Sequence, residues 1–230
     1  TACWIWGGPF MKIADFPDHT PYIGLDWFIL DLLVSVVVFA SLEKLSPLRK
    51  GQALFRDGWQ NDIKHFAFNH LAIGLMLVVV NFLIKQIFGR WEVDSYQYYV
   101  EQLPFVVGVI LCVLAADMAE YWTHRAYHEV PWLWKFHAVH HSSSHMDWLA
   151  GSRLHIVEIL ITRTLILGVV EFLGFSQAVI NTYIAIVGIQ AVVNHSNLKL
   201  PWGPLKYVFV TPEHHHWHHA SDDVAIDKNY

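Results

Sequence analysis

From Ala67 to Phe88 the chain is dense in Leu, Val and Ile and carries one charge, Lys85, near its end. It has about the 20 residues that a bilayer-spanning helix needs, and in lipid a single segment satisfies its backbone only as a helix. Other apolar runs invite the same reading. Leu25 to Leu42 is uncharged from Leu32 onward, and Leu103 to Tyr121 is uncharged until Asp117 and Glu120. Ile156 to Phe175 and Ala178 to Val193 read as a helical hairpin, fully spanning or re-entrant. Charged residues make up 15% of the chain, against about 25% in a soluble domain, which is too little to cover a water-exposed surface. The expected fold is all-α: an integral membrane helical bundle of four to five apolar helices, one domain over residues 1–230. A start at Thr1 without Met, and an end at Tyr230 directly after a polar segment, point to a piece of a longer protein with its C-terminus truncated.

Charge placement orients this bundle. Lys44, Arg49, Lys50, Arg56 and Lys64 lie between the first two runs, whereas Arg90, Glu92, Asp94 and Glu101 lie before the third. The basic loop is expected on the cytoplasmic side. The third run then returns to that side at His124, and the hairpin delivers His195 to it. The formal net charge of −5, with no dominant Lys/Arg block, excludes nucleic acid as a partner. Cys3 and Cys112 are the only cysteines, which gives neither a disulfide framework nor a cysteine metal motif.

Histidine is the other anomaly, with 16 in the chain. Those from His124 onward fall into motifs. His124 and His128 in HRAYH are at i,i+4 and share a helical face. HAVHH supplies His137, His140 and His141, which one helical face can aim at one point, and the same spacing recurs as His215, His218 and His219 in TPEHHHWHH. Thr211 suits the N-cap and Pro212 the first turn of that last helix. His195, in NHSN after the last apolar run, is a ninth candidate. Nine imidazoles far exceed the needs of one four-coordinate zinc and imply two metals. His214 and His216 fall between motif positions, with roles behind the ligands or on the surface, and His19, His65 and His70 are assigned no role.

Carboxylates near these motifs are candidates to orient the rings through the second nitrogen. Asp117, Glu120, Asp147, Glu158, Glu213 and Asp222 all fall near clusters, and Asp117 with Glu120 is the expected pair, since both share the face of His124. The alternative partners of that pair are Arg125 and Arg153. Asn194 and Asn197 flank His195 and are placed to orient it.

DMAEYWTHRAYH, KFHAVHHSS, NHSN and TPEHHHWHH together resemble the membrane-bound fatty acid hydroxylase and sterol desaturase superfamily, over about Leu103 to Tyr230. The resemblance implies a non-haem di-iron site facing the cytoplasm, with His124, His128, His137, His140, His141, His195, His215, His218 and His219 as ligands. Zinc can replace iron in a protein prepared in air or in a foreign host. The family commonly has a further histidine four residues before the one at 195; here that residue is Ala191, and His155 or His145 is the nearest substitute.

The chemistry implied is dioxygen-dependent hydroxylation of an unactivated C–H bond of a membrane lipid, a fatty acyl chain, sterol or relative. Desaturation and oxidative C–C or ether cleavage are alternatives at the same centre. The substrate is expected in an apolar cleft lined by residues such as Phe68, Leu71, Leu75, Trp122 and Trp148. No glycine-rich nucleotide motif or iron–sulfur cysteine set is legible, so a cytoplasmic reductase or small electron carrier is expected to supply electrons. The host membrane would be a bacterial inner membrane or the endoplasmic reticulum. A metal-binding or metal-transport protein is the contrasting reading, but transporter sites lie near the bilayer midplane whereas these clusters cap one side.

Overall fold

The computed structural model describes residue 29, residues 32–89 and 94–222, and residues 224, 225 and 228; side chains 73–75, 77, 94 and 95 lie outside the description. Most of the first apolar run therefore falls outside it. Every regular element among the described residues is helical, and the sole β feature there is an isolated antiparallel bridge between Pro47 and Leu198.

A π-helical turn at Val36–Ala40 runs into α1, Ser41–Leu45. Helix α2, Trp59–Ile87, starts from Gly58, whose φ of +85° is cheap only for glycine. After the short α3, Asp94–Glu101, comes α4, Phe105–Glu129, which ends where Val130 is forced into the extended region ahead of Pro131. Pro131 then occupies the first turn of α5, Pro131–His137, where its missing N–H costs nothing. Single 3-10 turns follow at His140–Ser142 and Ala150–Ser152. Helix α6, Ile156–Leu173, ends at Gly174 in the left-handed region, and α7, Gln177–His195, is capped by the Ser176 hydroxyl, which accepts from the Val179 N–H. Helix α8, Pro212–His218, has the Thr211 cap and first-turn proline read from the sequence.

Helix α4 is the central element. Its Cys112 and Ala116 are fully buried against Ile166 and Val170 of α6 and against Phe175, Val179 and Tyr183 around α7. A second cluster joins Val80 and Ile84 of α2 to Leu167 of α6. Helices α6 and α7 thus follow one another like a hairpin, but each takes α4 as its principal partner. The opposite face of α4 carries Val106, Ile110, Leu114, Met118 and Trp122, spaced four apart and all more than half exposed. That stripe runs for about 24 Å as a continuous apolar strip on the surface.

Among the described residues two helices are long and apolar enough to cross a membrane, α4 and α7, with a shorter apolar stretch at Val78–Ile87. Glu158, Arg163 and Glu171 interrupt α6, whereas the apolar part of α2 includes side chains outside the described residues.

A buried ion-pair lattice pins the polar end of the bundle. Arg56 grips Asp147 through two bonds of 2.7 Å and reaches Asp62 at 2.6 Å, while Arg153 meets the other Asp62 oxygen at 2.5 Å. All four residues are buried, Asp62 completely. Four charges taken from water are tolerable only because each has an opposite partner.

Candidate metal centre

The nine histidines picked out by spacing converge into two groups at this end of the bundle. His124, His128, His137, His141 and His218 form one, and His140, His195, His215 and His219 the other; within each, the ring nitrogens lie within 4.8 Å of one another. The expectation that each His-x-x-His-His run aims at one point is corrected here. HAVHH gives His137 and His141 to the first group and His140 to the second, whereas the last motif gives His215 and His219 to the second and His218 to the first. Helical geometry explains the division: residues four apart differ by about 40° around the axis, and residues three apart by about 60° in the other sense. HAVHH also leaves α5 after His137 and enters a 3-10 turn at His140, which turns His140 further from its neighbours. The groups interlock, with the rings of His141 and His219 stacked 4.2 Å apart across the boundary.

Outer hydrogen bonds set the tautomers. The Nδ1 of His195 lies 2.7 Å from the Ala191 carbonyl, that of His140 3.3 Å from the Arg153 carbonyl, and that of His218 2.7 Å from the Lys228 carbonyl. A carbonyl only accepts, so each of these Nδ1 atoms carries the proton and each Nε2 is left as a lone pair. The Nδ1 of His137 likewise meets the buried Glu158 carboxylate at 2.8 Å. The inward Nε2 atoms of His195 and His140 stand 3.1 Å apart. The His215–His195 separation is 2.9 Å, and the His141–His137, His218–His124 and His219–His215 separations are each 3.1 Å.

The lone pairs of His195 and His140 face each other and cannot bond, and a cation between them removes the conflict. With metal–nitrogen bonds of about 2.1 Å, two nitrogens at a right angle stand about 3.0 Å apart and two at a tetrahedral angle about 3.4 Å. The observed separations fit right-angled neighbours, as around an ion with more than four positions. Burial, reinforced by the neighbouring rings, keeps these imidazoles neutral and ready to ligate. It holds His141 down to about 2 and His137 down to about 4, and His140, His215 and His219 well below the usual range. The donor set therefore fits two cations, one ringed by five nitrogens and one by four.

The other expected site residues sit elsewhere or do other work. His155 is in neither group: its Nδ1 accepts from the Val157 N–H as the cap of α6. His145 is also in neither, with its Nδ1 3.0 Å from the Ser144 hydroxyl. Asp117 is exposed and Glu120 half-buried on α4. Helical side chains lean toward the N-terminus, which carries both away from histidines at the C-terminal end. Arg125 pairs with Glu129 and Arg153 with Asp62, so neither proposed cation partner is committed to that pair. The carboxylate that reaches a cluster ring is Glu158, from a different helix. Its signal was an acidic residue in the first turn of a largely apolar helix.

Asn194 accepts from Gln190, and Asn197 holds both backbone groups of Arg49, so both staple chain segments rather than orient His195. Glu213 and Asp222 are exposed. His216 is buried, held near 4 by desolvation, with its Nε2 3.0 Å from the His195 carbonyl, which makes it a support for the backbone beneath the smaller cluster. The expected cleft residues do not share one environment: Phe68, Leu71 and Trp122 are exposed, Trp148 is buried, and the Leu75 side chain lies outside the described residues.

Residues 109–230, just over half the chain, match the family described as fatty acid hydroxylase. The chain is 28% identical over 208 residues to ornithine lipid hydroxylase OlsE of Rhizobium tropici, covering 89% of this chain and 62% of that protein. It is 27% identical over 188 residues to the alkylglycerol monooxygenase of Danio rerio, with coverage of 75% and 40%. Methylsterol monooxygenase 1-2 of Arabidopsis thaliana is 30% identical over 124 residues, with coverage of 51% and 40%. The chain thus spans less than two thirds of the length of each of these relatives. No solved structure matches it.

Proposed function

The chain belongs to the fatty acid hydroxylase family, and from that membership we propose that it is the di-iron core of a dioxygen-dependent lipid hydroxylase. The observation that carries the reading is the sorting of nine buried or half-buried imidazoles into groups of five and four. His124, His128, His137, His141 and His218 would hold one iron, and His140, His195, His215 and His219 the other. The iron pair would supply dioxygen activation. Overall, one C–H bond is replaced by C–OH while dioxygen, two electrons and two protons yield one water. Desaturation would instead remove two hydrogens and yield two waters. The relatives' names, a hydroxylase and two monooxygenases, favour oxygen insertion.

The chain's own part is positioning and exclusion. Glu158 and the carbonyls of Ala191, Arg153 and Lys228 hold protons on outward ring atoms and so present Nε2 inward. The exposed stripe on α4 fits lipid contact and supports a membrane location, and the basic residues Lys44, Arg49, Lys50 and Lys64 between the first two apolar runs favour a cytoplasmic face for the metal end. A membrane lipid is the substrate class, and a cytoplasmic electron-transfer protein the expected partner. Residues 1–230 are read as one domain.

The test is metal stoichiometry and spectroscopy on anaerobically prepared protein, together with lipid analysis of cells with and without it. Two irons per chain whose signal changes with oxygen, and a lipid gaining one oxygen atom, are expected. One zinc per chain without redox response would sink the proposal.

A further inference from the structure

Two rings of the four-histidine group lean on one short segment. Asp147 opens it, held by Arg56, and its Oδ1 accepts from the N–H groups of Leu149 and Ala150. Arg153 closes it, anchored on Asp62, and gives its carbonyl to His140. Between them lies the 3-10 turn Ala150–Ser152, and at its centre Gly151 faces the flank of the His195 ring. A Cβ at position 151 would stand 2.8 Å from Nδ1, 2.9 Å from Cγ and 3.3 Å from Cε1 of His195, where ordinary contact begins at 3.4 Å.

Neither partner has room to yield. The His195 Nδ1 is tied to Ala191 at 2.7 Å, and its Nε2 is hemmed by His140 at 3.1 Å and His215 at 2.9 Å. The Gly151 backbone is fixed by ion pairs on both sides. A methyl group would therefore displace the ring by about half an ångström, whereas metal–ligand distances tolerate about 0.2 Å. The three atoms nearest the added carbon all belong to His195, and none to the five-histidine group.

We propose that Gly151 is a positioning residue for the four-histidine centre: its lack of a side chain admits the His195 ring between Ala191 and the other three histidines. The segment 147–153 then acts as a template for one centre, clamped at both ends by the Arg56–Asp62–Asp147–Arg153 lattice. This rests on the two-metal reading above.

The test titrates ferrous iron anaerobically into apoprotein of the wild type, Gly151→Ala and Gly151→Ala/His195→Ala, with thermal unfolding of each apoprotein. The wild type is expected to take two ions. Gly151→Ala is expected to take one with unchanged affinity and to bind the other at least about tenfold more weakly. The double variant is expected to recover the thermal stability lost in Gly151→Ala, because the clashing ring is gone, while still holding one ion tightly. Two ions at wild-type affinity in Gly151→Ala, loss of both ions from a folded protein, or an instability that His195→Ala does not relieve would each overturn the proposal. Fewer than two ions in the wild type would overturn the two-metal reading itself.

Discussion

Glu158 offers the sharpest way to ask whether the five-histidine group is a metal centre. Its Oε1 takes the His137 Nδ1–H at 2.8 Å in a buried contact, which leaves the His137 Nε2 as a lone pair 3.1 Å from that of His141. Glu158→Ala leaves a buried N–H without an acceptor and frees the ring to turn or change tautomer. Removing such an outer partner typically weakens metal binding by about tenfold to a hundredfold, equivalent to about 1.4 to 2.8 kcal/mol. Glu158→Gln keeps an acceptor oxygen but loses the charge, and belongs at the low end of that range. The assay is iron retained per chain against graded chelator under anaerobic conditions. One of two ions is expected to leave at a lower chelator concentration in Glu158→Ala. The combination with His215→Ala, which disables the other centre, should move the remaining ion equally; the combination with His218→Ala should leave it unmoved. A Glu158→Ala release curve lying on that of the wild type, or a shift that persists with His218→Ala, would refute the reasoning.

The two-centre geometry also predicts that His218→Ala and His215→Ala each lose one iron, from different centres, while the exposed His214 can be replaced by Ala with both retained; metal analysis of the purified variants decides this. Asp62→Ala removes a fully buried carboxylate shared by Arg56 and Arg153 and should cost about 3 to 5 kcal/mol in unfolding free energy, and a loss below about 1 kcal/mol would contradict the lattice's role. Glu43 bonds the N–H groups of Trp148 and Asn197, and burial raises its pKa to about 7 from an ordinary 4.5. The folded chain therefore holds that proton more tightly than the unfolded chain, so the stability this group contributes is full below pH 4.5 and lost as pH rises through about 7. Glu43→Gln apoprotein should accordingly gain in melting temperature relative to wild type between pH 5 and pH 8, and a difference that is flat or shrinks with pH would exclude the assignment.

Much of the site was legible because the chain marks it with paired histidines at helical spacing, and Thr211–Pro212 announces the helix that carries the last set. The division of each motif between two centres was not, because residues three and four apart both pass for one helical face in the sequence, and only the rings arriving from other elements show which centre each one joins. Glu158 was passed over for Asp117 and Glu120 because those share a helix with His124, whereas the real contact crosses from α6 to α5 over 21 residues of sequence. Hydropathy named four to five spans from runs such as Ile156 to Phe175; the structure puts Glu158 of that run at the metal end, where a charge has a partner rather than a lipid neighbour. Gly151 gave no signal at all, since nothing in GSRLH says which ring will lie against it.

Three cluster rings are held by the peptide oxygens of Arg153, Ala191 and Lys228. A peptide oxygen is offered by every amino acid, so at these positions the support survives replacement of the residue that supplies it. A scan of single substitutions would find Ala191 and Lys228 unremarked for ring orientation, although the bonds they make are as short as any in the site. Such support yields only to changes that move the main chain, as by proline or by a shift in helix register. Descendants of this chain can thus change letters at the rim of the centre while its geometry stays where the fold put it.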